Sequence, residues 1–257
     1  NQEYVILGKG VGFGKKVSQR FDKPEECTMY RLAQETERGS AKELVKGIEP
    51  EYLEISDAIL TEAQKVFGES IDRGILFPLA DHISFAVARI RRNEQISNPL
   101  TEDIKALFYS EFKVAETLKT ILKERLQIEI DDHEVGYVAL HIHSAIGDEK
   151  VSVAMQTARA VRECIDMIEK ATGKPIDVLS LSYNRLMNHM KYMVARASTG
   201  EKLNLDMNEY MLDQYPQAYE IAADICKNLE GGIGHKLDET EIGYLAMHIQ
   251  RVYKDAV

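Results

Sequence analysis

The chain repeats itself. Asp81 to Arg89 reads DHISFAVAR, and Asn188 to Arg196 reads NHMKYMVAR. EVGYVALHI at 134–142 returns as EIGYLAMHI at 241–249. Both motifs recur at one offset of 107 residues, so a single shift superimposes two segments that lie far apart. A shared offset means a duplicated folding unit of about that length. This constrains the fold more than composition does, because whatever one copy folds into the other must fold into as well. Each motif carries one histidine: His82, His141, His189 and His248. The other three, His133, His143 and His235, have no histidine at the equivalent position.

The 257 residues suffice for two modest domains and a small appendage. With 44% hydrophobic and 29% charged residues, the composition is that of a globular protein and too apolar for disorder. There is no apolar run long enough to span a bilayer and no signal peptide, so membrane insertion is not expected. Cys27, Cys164 and Cys226 are odd in number and lack CxxC spacing; they read as reduced thiols of a cytoplasmic protein. The net charge of −10 argues against nucleic-acid binding over the whole surface. In residues 1–20, however, Lys9, Lys15, Lys16 and Arg20 face the single acid Glu3, so a head of +3 precedes a body of −13. That asymmetry suits a protein whose head alone touches a polyanion.

Residues 3–7 and 27–32 are β-prone, and the glycine-alternating stretch Gly8 to Lys16 between them reads as a turn or bulged strand. The chain starts without Met, inside what reads as a hairpin, and the expectation is that earlier strands of this head are missing from it. Residues 35–40 form the linker-like stretch. Helical periodicity then predicts helices over 52–67, 73–90, 101–126, 131–145, 151–170, 177–197, 207–230 and 239–255, with Pro216 kinking or interrupting the seventh. The predicted architecture is mainly α: two duplicated helical bundles preceded by a small, N-terminally incomplete β domain. The expected boundaries are 1–38 for the β domain, 39–48 for the linker, 49–148 for the first bundle and 149–257 for the second.

On a helix His82, Phe85, Ala86 and Arg89 share a face, as do Glu134, Tyr137, His141 and Ala145. The plain alternative is that each histidine fills an interhelical groove. Zinc chemistry fits poorly: Tyr137 stands where an HExxH helix needs its second histidine, and the HxH at 141–143 puts its rings on different faces. No GxSxG supports a serine triad, and no GxxxxGK[ST] supports a nucleotide loop. The remaining chemistry is phosphoryl acceptance, for which a neutral imidazole is nucleophilic near neutral pH. Arg89 and Arg196, two turns beyond their histidines, could pair with the added phosphate or simply form surface salt bridges. In the head, exposed backbone, flanking lysines and Phe13 suit unpaired RNA, or Phe13 is a small-domain core residue.

These motifs resemble the transcription antiterminators of the BglG/SacY/LicT type over essentially the whole chain. LGKGVGFGKK (7–16) is similar to the end of that family's co-antiterminator RNA-binding domain. DHISFAVAR, EVGYVALHIHSA, NHMKYMVAR and EIGYLAMHIQRV are similar to the four histidine motifs of its two PTS regulation domains, and ALHIHSA resembles the glucose-type members. The resemblance implies a dimeric β domain that holds an RNA hairpin in a nascent leader transcript and so prevents termination. It implies histidine phosphorylation by HPr and by a sugar-specific transporter subunit of the phosphotransferase system (PTS), at His82 and His141 in the first domain and His189 and His248 in the second. Gly8, Lys9, Gly10 and Phe13 match RNA-contacting positions, with Lys9 where arginine is common. No catalytic residue, cofactor or metal is implied. The domains also differ, since Asp81 precedes the first histidine where Asn188 precedes its counterpart. Rival readings are a PTS-regulated DNA-binding activator, an enzyme using a histidine pair with Glu134 or Glu241, and a structural helical dimer.

Overall fold

Two short strands open the described chain, β1 (Tyr4–Leu7) and β2 (Thr28–Arg31), and they pair antiparallel with Tyr4 opposite Arg31 and Leu7 opposite Thr28. The structure, a computed structural model, describes residues 4–8, 11, 14, 16, 27–31, 47–68, 71–147, 150–173, 175–177, 180–233 and 235–255. Where the glycine-rich stretch is described it turns: the Val11 amide donates to the Gly8 carbonyl at 3.3 Å, and Gly14 takes φ +69°, a conformation that needs glycine. Lys9, Gly10 and Phe13, and the linker expected at 39–48 up to residue 46, lie outside the described residues.

The helices follow as α1 (Pro50–Phe67), α2 (Leu76–Arg91) entered through a 3₁₀ turn (Arg73–Ile75), α3 (Thr101–Leu107), α4 (Tyr109–Ala115), α5 (Thr117–Leu126) and α6 (Asp132–Gly147). The second copy comprises α7 (Val151–Thr172), α8 (Leu181–Thr199), α9 (Asn208–Gln214), α10 (Pro216–Ile233) and α11 (Thr240–Asp255). Shifting by 107 residues lays α2 on α8, α3 on α9 and α6 on α11, so the duplication extends to whole elements. One expectation is corrected and another holds. The single helix expected over 101–126 breaks at Phe108 and Glu116, although neither proline nor glycine marks the breaks. Phe108 leaves helical geometry at φ −122° and ψ 48° while its ring, like that of Phe112, stays buried; packing overrides propensity there. In the second copy Pro216 does interrupt the helix, and it opens α10 as that helix's first residue, where its missing N–H is not needed.

Packing divides the chain into two units, Asn1–Ser97 with Lys113–Asp148, and Asn98–Phe112 with Glu149–Val257. In the first unit α1 packs on α2 and α6, and α2 packs on α6. The buried faces recur every three or four residues: Ile55, Ile59 and Leu60 on α1; Leu79, Ile83 and Val87 on α2; Val135, Val138 and Ile142 on α6. Each such side chain contributes roughly 1.5–3 kcal/mol through removal from water. The head strand β2 is fastened to this unit by Tyr30, which is buried. Its hydroxyl donates to Asp57 of α1 and accepts from Arg73 Nη2 at 2.8 Å, and Arg73 Nη2 also reaches Asp57 Oδ1 at 2.6 Å. The Tyr30 ring meets Phe77 edge-on at 6.2 Å.

In the second unit α11 packs against α8, α9 and α10, while α7 packs on α10. Its core is built from Cys164, Ile165 and Ile168 of α7, Met190, Met193 and Val194 of α8, Ile225 and Leu229 of α10, and Leu245 and Ile249 of α11. Helix α3, the repeat equivalent of α9, packs here on α7 and α8, held by a fork between Asp103 and Arg162 with both contacts at 3.0 Å. The glycine of the second GY motif has a packing reason. A Cβ on Gly243 would stand 2.8 Å from the backbone of Met207 and Asn208, and the Gly243 amide donates to Asn208 Oδ1 at 2.8 Å. Gly243→Ala forces α9 away from α11; we expect it to lower stability by about 1–3 kcal/mol, measured as the midpoint of urea unfolding, and an unchanged midpoint would show that α9 yields freely.

Candidate functional site: two histidine pairs, each beside a buried glutamate held by an arginine

Two capped helix starts set the geometry. Asp131 Oδ1 accepts from the backbone amides of His133 and Glu134 at 3.0 and 3.2 Å, fixing the first turn of α6. Its repeat counterpart Asp238 caps α11 through the Thr240 amide at 3.1 Å. With the caps supplied by aspartate, Glu134 and Glu241 are free to turn inward, and both are buried, at 3% and 2% exposure. From there α6 and α11 carry the glutamate, the tyrosine and the histidine of each motif along one face.

In the first unit this face meets α2. The rings of His82 and His141 lie 5.4 Å apart, and Tyr137 lies 5.7 Å from His82. Arg89 Nη2 donates to Glu134 Oε1 at 2.7 Å. The other carboxylate oxygen, Oε2, stands 3.5 Å from His82 Nε2, and neither of these two buried atoms makes a hydrogen bond. Burial pushes the Glu134 carboxyl up, but the adjoining His82 and Arg89 outweigh it and hold the carboxyl below the usual range.

The second unit repeats the arrangement more tightly. His189 stacks on His248 at 4.7 Å with 27° between the rings, and on Tyr244 at 6.3 Å with 7°. Arg196 forks onto Glu241, Nε to Oε1 at 2.6 Å and Nη2 to Oε2 at 2.8 Å, and His189 Nε2 is 3.6 Å from the same Oε2. The His189 side chain is 8% exposed against 18% for His82. Burial first, then the neighbouring His248 and Arg196, lowers His189 to about 3; burial, Arg251 and Arg185 lower His248 to about 4. Both rings are therefore neutral at pH 7 and carry a lone pair.

All four histidines named from the repeat thus come together as two pairs. Arg89 and Arg196 are found on carboxylates rather than on the histidines. Phe85, expected on the site face, is 59% exposed and its counterpart Tyr192 is 61% exposed; the turn of α2 and α8 carries both outward. The residues that sequence reasoning undervalued are Glu134 and Glu241, weighed there as helix caps or as acid–base partners in an enzyme. Their signal was the same 107-residue offset. Gly8 directly follows β1, outside both sites. Among the described residues no group of three or more His, Cys, Asp or Glu could hold a metal ion, and no helix is long and apolar enough to cross a membrane.

The neutral rings carry a pH dependence. For His189 and His248 the folded value lies below the ordinary 6.5, so the unfolded chain binds more protons as pH drops. Stability should hold above pH 6.5 and fall from there toward pH 4, by at most roughly 1 kcal/mol per pH unit for His189 and less for the better solvated His248. Urea unfolding between pH 7 and pH 5 measures this. His189→Gln with His248→Gln should flatten the slope, and an equally steep slope in that variant would place its origin elsewhere.

Comparison with known proteins places these sites in a wider group. The family model described as PRD domain matches residues 57–145 and 162–252, one copy around each histidine pair. Protein GlcT of Staphylococcus haemolyticus is 28% identical over 252 residues, covering 97% of this chain and 89% of that protein. Transcription antiterminator LicT of Bacillus subtilis is 27% identical over 259 residues, covering 99% and 93%. The GlcA/glcB genes antiterminator of Staphylococcus carnosus is 29% identical over 255 residues, covering 97% and 88%. With a PRD domain matched around each histidine pair, over more than half of its length, this chain belongs to the PRD-domain family.

Proposed function

We propose that the four paired histidines are the phosphoacceptors through which the PTS controls antitermination. The observation that carries this is the pairing itself: two histidines from two helices meet at 5.4 Å in one unit and at 4.7 Å in the other, with the same glutamate and arginine beside them. Neutral imidazoles attack a phosphoryl group directly, and the added group brings about two negative charges into a site that already holds a carboxylate. Packing suited to neutral rings cannot keep its arrangement after that change, so the modification acts on the helices α2, α6, α8 and α11.

The donors in this reading are HPr and a sugar-specific transporter subunit, and the helical units act as a cytoplasmic homodimer. The output is the grip of the β head on an RNA hairpin in a leader transcript, with Gly8, Lys9, Gly10 and Phe13 as its contacts. By repeat register we take the domain limits as 1–38, 39–48, 49–148 and 149–257, although residues 98–112 pack with the second unit. The similar antiterminators support a regulatory rather than catalytic role and favour RNA over a DNA-binding activator. Similarity to GlcT favours the glucose-type subgroup.

The test is incubation with phosphoenolpyruvate, the general PTS enzyme and HPr, followed by intact mass and site mapping. Acid-labile phosphate is expected on one or more of His82, His141, His189 and His248 and should disappear site by site on His→Ala substitution. Phosphate confined to His133, His143 or His235 would overturn the assignment.

A further inference from the structure

Burying the carboxylates of Glu134 and Glu241 is expensive, since their lost hydration offsets most of the attraction of Arg89 and Arg196, whose side chains stay 27% and 15% exposed. Such a pair is weak support for stability, yet it occurs in both copies at the same positions and against the same histidine nitrogen. Arg89 holds Glu134 at 2.7 Å with Glu134 Oε2 3.5 Å from His82 Nε2; Arg196 holds Glu241 at 2.6 and 2.8 Å with Oε2 3.6 Å from His189 Nε2. Each buried Nε2 faces the carboxylate at 3.5 or 3.6 Å, longer than a well-formed hydrogen bond, so the arginine rather than the ring is the carboxylate's closer partner.

We propose that Glu134 and Glu241 are resident counter-ligands that occupy Arg89 and Arg196 until the neighbouring histidine is phosphorylated, and that must release them to the phosphate. This rests on the phosphoacceptor reading given above. In the transfer, a ring nitrogen of the acceptor histidine attacks the phosphorus of a phosphohistidine on the donor protein. The acceptor N–P bond forms and the donor N–P bond breaks; the acceptor ring gives up the proton of its other nitrogen, and the donor ring takes one up and leaves as neutral imidazole. The product dianion then lies within a few ångströms of a carboxylate, and one guanidinium cannot neutralise both. Arginine prefers the phosphate, with its greater charge and its matching fork. The displaced carboxylate repels the phosphate and, sitting in the first turn of α6 or α11, carries that turn away from α2 or α8. Glu134 and Glu241 are thus positioning residues that slow modification and turn it into helix movement. Arg89 is held by one hydrogen bond and Arg196 by two, so the second unit should resist more strongly.

The test uses the whole chain and phosphoramidate, a small donor that needs no docking surface. Site-mapped phosphorylation rates are compared for the unaltered protein, Glu134→Gln, Glu241→Gln, Glu134→Asp and Glu241→Asp, with folding checked by circular dichroism. Removing the carboxylate charge should speed phosphorylation of the neighbouring histidines by about tenfold or more, the scale of one like-charge contact near a protein surface. The aspartate variants keep the charge and should stay slow, whereas a role in packing alone would make both substitutions act alike. Amide exchange should also rise in the first turn of α6 and α11 on phosphorylation of the unaltered protein, and much less in the glutamine variants. Phosphorylation on these histidines with equal rates in every variant overturns this proposal and leaves the phosphoacceptor reading standing. Absence of phosphate from all four histidines, with either phosphoramidate or the protein donors, overturns both.

Discussion

One contact holds each regulatory unit in register: the buried carboxylate of Glu134 or Glu241 against the guanidinium of Arg89 or Arg196. It bridges the two helices that bring the histidines together, α2 to α6 in the first unit and α8 to α11 in the second. Apolar packing alone would tolerate a slide of one helix along the other. An arginine that must end on a glutamate forbids it, because breaking a buried pair strands a charge at a cost of about 3–5 kcal/mol. The histidines therefore meet at a defined distance. The aspartate caps belong to the same constraint, since by satisfying the helix amides they release the glutamates to point inward.

The two copies answer this constraint differently. The first is looser, with one hydrogen bond on the arginine, a more accessible histidine and Asp81 preceding it. The second has the full arginine fork and parallel stacking on Tyr244, and burial keeps its two imidazoles neutral. Duplication supplied one set of residues, and small changes in burial made two electrostatic environments from it. Equal chemistry at the two sites does not follow from equal sequence, because the energy of a charge depends on its distance from water.

A line of direct contacts also runs from the first site toward the head. The Asp72 amide donates to the carbonyl of Ala145, one turn beyond His141 on α6, at 2.8 Å. Arg73, the next residue, grips Tyr30 of β2 and Asp57 of α1. The 3₁₀ turn at Arg73–Ile75 is therefore the place where the helix carrying His141, the helix carrying His82 and a strand of the head all touch.

Much of this architecture is legible in the amino-acid order alone. Periodicity places the long helices to within a few residues, the two β-prone runs become β1 and β2, and the repeat offset picks out four of seven histidines. Helical spacing says correctly that His82 and Arg89 lie together, and wrongly that Phe85 joins them. The breaks at Phe108 and Glu116 arise from burial demands that no local residue announces. What the sequence determined by itself was the duplication, the helical class and the chemical groups available, all of which are local or periodic properties of the chain. Only the tertiary structure decided which groups meet: Glu134 with Arg89, 45 residues away, and Tyr30 with Arg73, 43 residues away. Those choices depend on how two helices or a strand and a turn approach in space, and charge pairing across such a distance leaves no periodicity in the chain to read.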